Sequence, residues 1–140
     1  AEIVGADERE SAARALLNFG HTFGHALEAE MGYGGGLLHG EAVAIGMVMA
    51  CRLSQKLFGL PDEVEQGLTQ HLKAVGMKTH PREVRAEWDV ARLMHHMAGD
   101  KKAEDGKLTF IALEALGRAR VVKDVSPAVA QGVVEAFVKP

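Results

Sequence analysis

In 140 residues there is one cysteine, one tryptophan, one tyrosine and four prolines. The lone thiol, Cys51, has no partner for an internal disulfide, which excludes a disulfide-stapled scaffold and suits a reducing cytoplasm. No apolar run approaches the roughly 18 residues that a membrane helix needs, and no charged-then-apolar leader opens the chain. Neither sign of charge dominates: 16 Lys and Arg face 19 Asp and Glu, a net charge of −3, and no basic block stands out. A nucleic-acid surface is therefore not expected, nor a membrane partner. Repeats and low-complexity tracts are also missing. What is present is ordinary globular material, 47% hydrophobic and 25% charged. It is one domain's worth of chain, able to bury roughly two thirds of its unfolded surface. The expectation is a single cytoplasmic domain over residues 1–140. The opening Ala1-Glu2-Ile3-Val4 reads like the interior of something longer, which favours a fragment.

The apolar pattern is mostly helical. From Asp7 to Gly32, acidic residues lead and Leu16, Leu17, Phe19, Phe23, Ala26 and Leu27 recur at three- and four-residue steps, with a kink or break expected near Asn18 to Gly20. The glycine-rich stretch Gly32 to Gly36 must be a loop. A long helix follows from about His39 to Phe58, closed by Gly59, and its nearly all-round apolar character places it in the core. A third helix runs from Asp62 to Val75 and ends at Gly76. Lys78 to Asp89 reads as a connector with one short helix, and Val90 to Ala98 as another short helix. Leu108 to Leu113 and Arg120 to Val122 form a small hairpin around Gly117. Ser126-Pro127 caps and opens a last helix to about Val138. The fold class expected is mainly α with one small β-hairpin.

Seven histidines is a high number for this length, and three of them, His21, His25 and His39, fall within 19 residues. His21 and His25 share one helix face one turn apart. His39 follows a glycine loop able to fold it back toward them. Two imidazoles from adjacent helices begin a zinc site, which in catalytic form takes three protein ligands and leaves one position open. Gly20, Gly24 and Gly40, beside the histidines, are expected to let a ligand approach the backbone. The alternative is that these glycines pack helices and the histidines are ordinary core residues. Glu28 and Glu41 are further possible ligands, though such carboxylates are more often simply solvated.

The run Arg14-Ala15-Leu16-Leu17-Asn18-Phe19-Gly20-His21-Thr22-Phe23-Gly24-His25-Ala26-Leu27-Glu28 closely resembles the central motif of the 3-dehydroquinate synthase family. Leu38-His39-Gly40-Glu41-Ala42-Val43-Ala44-Ile45-Gly46-Met47 is similar to that family's next block, and Asp100-Lys101-Lys102 with Gly106-Lys107-Leu108-Thr109-Phe110 to a third. The blocks keep their order and approximate spacing. The resemblance implies the helical C-terminal domain of the dehydroquinate synthase-like fold. It also implies an enzyme that converts 3-deoxy-D-arabino-heptulosonate 7-phosphate to 3-dehydroquinate and phosphate, using NAD and a divalent metal, zinc or cobalt.

By the same resemblance, His21 and His39 are metal ligands, and His25 contacts the substrate and relays protons. Arg14 is an anion-binding substrate contact, Asn18 a polar one, and Lys101 a contact to the substrate phosphate with a catalytic role. The family's third metal ligand lies in an N-terminal half, and no strand, glycine-rich turn and helix for a dinucleotide occurs here. The missing N-terminal NAD-binding domain is thus an expected partner, a homodimer the expected assembly, and the isolated chain is expected to be inactive. Rival readings are another sugar-phosphate cyclase, such as a 2-deoxy-scyllo-inosose synthase, a metal-dependent polyol dehydrogenase, and a free-standing helical domain that binds metal without chemistry.

Overall fold

The computed structural model describes residues 18–32, 36–100 and 108–139, with Gly99 and Asp100 described by their backbone alone. The first half of the expected opening helix, with Arg14, and the Asp100-Lys101-Lys102 block beyond its first residue lie outside the described residues.

Six helices and one hairpin are described: α1 (His21–Met31), α2 (His39–Phe58), α3 (Asp62–Ala74), α4 (Pro81–Val84), α5 (Val90–Asp100), β1 (Leu108–Ala115), β2 (Arg118–Val125) and α6 (Pro127–Val138). The mainly helical fold class with a single hairpin is what the sequence pattern predicts. At the position of the expected break, Gly20 takes a left-handed φ of 84° and α1 begins at His21, while the residues before Asn18 lie outside those described. A residue with a Cβ resists that conformation, so the glycine sets where the helix begins. At its other end α2 closes on Gly59, also left-handed, whose N–H donates to the Gln55 carbonyl. α6 opens as its Ser126-Pro127 pair predicts, with Ser126 Oγ accepting from the Ala128 N–H.

α2 is the central element. Ala42, Ile45, Val48, Met49, Cys51, Leu53 and Ser54 are all buried, and the helix packs against α1, α3, β1 and α6. Full burial of aliphatic side chains such as Ile45 and Leu53 is worth about 1.5–3 kcal/mol each. The buried Ser54 hydroxyl donates to the Ala50 carbonyl and accepts from the Leu113 N–H, both at 2.8 Å, which ties the hairpin to α2 without leaving a polar atom unpaired.

The hairpin is longer than its sequence suggests. Its antiparallel register runs from Leu108↔Val125 to Ala115↔Arg118, with irregularities between Leu108 and Phe110 and between Leu113 and Ala115. Those irregularities break the strict alternation that marks a strand in sequence. α5 likewise runs on to Asp100, because Gly99 lowers helix propensity without ending a helix that packs against α1 and α6.

Candidate functional site

The candidate residues are carried by the crossing of α1 over α2. A Cβ at Gly20 would overlap the backbone of Gly46 and Met47, one at Gly46 would overlap the Gly20 carbonyl, and one at Gly24 would lie 2.6 Å from the Ala42 oxygen. The two backbones therefore touch where these glycines meet. This corrects the expectation that Gly20 and Gly24 leave room for a ligand: they leave room for the other helix. Gly40 is different, since a Cβ there would meet only the Met77 side chain, at an ordinary 3.8 Å.

With the backbones fixed, the side chains on the rim follow. His21 and His25, four residues apart, stack with ring centroids 5.6 Å apart and an interplanar angle of 9°. His21 and Asn18 are exposed and His25 is half-buried. His39, the first residue of α2, is 72% exposed, and its Nδ1 lies 3.0 Å from Oε2 of Glu28, whose side chain is 15% exposed. A carboxylate accepts only, so Nδ1–H is the donor, and in the neutral ring Nε2 carries the lone pair. Glu41 is engaged elsewhere: Oε1 accepts from the Leu38 N–H at 3.2 Å and Oε2 lies 3.6 Å from Lys78 Nζ.

Beside His21 is a depression of about 350 Å³ lined by Asn18, His21 and Thr22 on one side and by Thr109, Phe110, Ile111 and Val121 of the hairpin on the other. Thr22 Oγ1 donates to the Thr109 carbonyl across it at 3.4 Å. The hairpin wall has no assigned role in the sequence reading. Its one sequence signal is Leu108-Thr109-Phe110, the end of the third motif block.

The donor set suits part of a divalent-metal site: imidazoles at the starts of two close-packed helices, one with a ring nitrogen held by a carboxylate. Among the described residues, no three His, Cys, Asp or Glu side chains converge on one point. The histidines instead form two pairs, His21 with His25 and His39 with Glu28. Any closed site needs a ligand from elsewhere.

The family model described as 3-dehydroquinate synthase C-terminal matches residues 1–103. The 3-dehydroquinate synthase of Bradyrhizobium sp. is 51% identical over 133 residues, covering 91% of this chain and 35% of that relative. The enzyme of the same name from Rhodospirillum rubrum is 48% identical over 142 residues, covering 100% of this chain and 37% of its own. That from Caulobacter vibrioides is 49% identical over 129 residues. The chain thus spans little more than a third of the length of the curated relatives it matches. Among solved structures, a 2-deoxy-scyllo-inosose synthase superposes with a TM-score of 0.65 at 23% identity, over 86% of this chain and 31% of that one. A second, described as complexed with carbaglucose-6-phosphate, NAD+ and Co2+, does so with a TM-score of 0.69 at 24% identity, over 86% and 34%. At that identity the likeness shows a shared fold.

Proposed function

This chain belongs to the 3-dehydroquinate synthase C-terminal family, and from that membership we propose that it is the metal- and substrate-binding half of a 3-dehydroquinate synthase. The observation that carries the reading is the 51% identity over 133 residues to an enzyme of that name. The reaction is the conversion of 3-deoxy-D-arabino-heptulosonate 7-phosphate to 3-dehydroquinate and phosphate. It proceeds by transient oxidation of a ring hydroxyl, phosphate elimination, reduction back, and an intramolecular aldol. When bound, NAD supplies the reversible hydride acceptance and a divalent metal, zinc or cobalt, the Lewis acidity.

The residues of this chain bind, orient and move protons. His21 and His39 are the metal-holding imidazoles, supported by their exposed places at the starts of α1 and α2. His25, stacked one turn behind His21, contacts the substrate and passes protons, work to which an imidazole is suited near neutral pH. Asn18, exposed at the mouth of the depression, binds a substrate hydroxyl or carboxylate as donor or acceptor. Arg14 binds the anionic end of the substrate and Lys101 its phosphate, both by motif position. The hairpin contributes Phe110, Ile111 and Val121 as an apolar side of the depression.

The third metal ligand and the NAD site belong to an N-terminal half contributed from outside these residues, with the active site in the cleft between the halves. The full enzyme is a cytoplasmic homodimer. Alone, the 140 residues are inactive. The test is a chimera in which this chain replaces the C-terminal third of the Rhodospirillum rubrum relative. Supplied with NAD, zinc and the heptulosonate phosphate, it is expected to release phosphate and form 3-dehydroquinate, and His21→Ala is expected to abolish both. A folded chimera that makes no 3-dehydroquinate overturns the reading. Product formation by the isolated chain overturns the claim that it is only half of a site.

A further inference from the structure

Among the described residues, Glu28 is the one carboxylate that joins α1 to a candidate ligand on α2, and its bond to His39 has the features of an orienting contact. We propose that Glu28 is a positioning residue for His39: it fixes the ring as the Nδ1–H form and aims Nε2 outward as the metal-binding nitrogen. The proposal rests on the reading of His39 as a ligand and adds a residue to it.

Three observations carry it. The Nδ1 to Oε2 distance is 3.0 Å, a full hydrogen bond between residues eleven apart in sequence. The two partners differ in exposure, 72% for the imidazole and 15% for the carboxylate, so the carboxylate is the anchored member and the ring the presented one. The helices that carry them meet backbone to backbone at Gly20, Gly24 and Gly46, so the main chains that bear Glu28 and His39 are held at close range.

A carboxylate on the far nitrogen does three things for a ligand imidazole. It selects the tautomer, restrains rotation of the ring, and raises the basicity of the other nitrogen. Glu28 as a direct ligand is the competing role, and it would require giving up the bond to His39. Glu41, also close in sequence to His39, is spent on the Leu38 N–H and Lys78. It leaves Glu28 as the residue positioned for this task.

The test has two readouts on the 140-residue chain, with circular dichroism confirming that each variant is folded. The first needs no metal: ring ¹⁵N NMR at about pH 8. His39 is expected as the Nδ1–H tautomer in the parent and predominantly as Nε2–H in Glu28→Ala. An unchanged tautomer overturns the proposal whatever the metal does. The second is titration with Co2+. Glu28→Ala is expected to weaken binding by about 10- to 100-fold and Glu28→Gln, which still accepts from Nδ1, by less, with the visible spectrum of the bound ion unchanged in both. A changed spectrum makes Glu28 a ligand and overturns positioning. Weaker binding in His39→Ala but not in Glu28→Ala also overturns it while leaving the metal reading intact. If neither His21→Ala nor His39→Ala alters Co2+ affinity, the metal reading itself fails and the proposal falls with it.

Discussion

Glu28 and Glu30 stand two residues apart on α1, and each meets a histidine of another helix at 3.0 Å, His39 in one case and His96 in the other. Their surroundings differ. Glu30, with a side chain 7% exposed, also takes Arg92 Nε at 2.9 Å and has Arg85 at 3.7 Å. Burial pushes its carboxyl up, but hydrogen bonds from Arg92 and His96 and their charges outweigh that and hold it below the usual carboxylate range. Glu28 meets His39, and that ring faces solvent. A carboxylate surrounded by cations ties elements together and has no capacity left for a ligand. A carboxylate set against an exposed imidazole restrains that ring and leaves its other edge open to solvent. The same residue type, on the same helix, is held among Arg92, Arg85 and His96 at one position and meets an exposed imidazole at the other.

The comparison breaks most severely if α1 itself is unseated. Gly46→Ala puts a Cβ against the Gly20 carbonyl and 2.8 Å from the Gly24 nitrogen, and backbone cannot give way as a side chain does. Destabilisation of about 2–4 kcal/mol is expected, with both pairs disturbed together, read as a lower Tm and altered ring signals of His39 and His96. Loss of only one pair would show that the glycine crossing does not govern both.

Glu30→Ala is the next largest. It should cost about 1–2 kcal/mol in urea unfolding, since it strips α5 of its tie to α1, and leave the His39 tautomer unchanged. Glu28→Ala should do the reverse, costing less than about 0.5 kcal/mol while altering His39. Equal stability losses would erase the distinction.

Acid sharpens the comparison further. Because the folded Glu30 carboxyl lies below its ordinary 4.5, its contribution is fully present above about pH 4.5 and is lost as pH falls through the lower folded value. The stability gap between the parent and Glu30→Gln is therefore expected to hold at neutral pH and to close below pH 4.5. A gap that stays constant through the acid range would assign the tie to packing instead of charge.

The smallest effect is on Cys51, buried on α2 with its thiol pushed up to about 12 by burial and then by the charge of Glu65. Alkylation near pH 8 is expected to need a local opening of the helices. Glu30→Ala should quicken it a few-fold and Glu28→Ala hardly at all. Equal labelling rates in the parent and Glu30→Ala would mean that the α1–α5 tie does not limit that opening.

Much of the fold was legible residue by residue. Local signals carry helix ends, Gly59 at a left-handed stop and Ser126-Pro127 at a start, and the nearly all-round apolar character of α2 marks it as the buried element. The His21–His25 pair was legible for the same reason, since four residues is one helical turn. The hairpin was underestimated because its irregular register breaks the alternation by which strands are read. What Gly20 and Gly24 make room for is not legible in sequence, which shows that a side chain is missing and not what fills the space. Arg14 and Lys101 lie outside the described residues and rest on motif position.

The sequence by itself determined which segments are helices, where the histidines fall along them, and the family to which the chain belongs. Those properties depend on local propensity and on the order of residues. The packing of the helices is what sets Glu28 against His39 and Glu30 against Arg92 and His96, brings α1 onto α2 at glycines, and makes the hairpin a wall of the depression beside His21. Each of those facts joins residues from different elements. The three-dimensional packing of the helices brings them together, and spacing along the chain does not encode it.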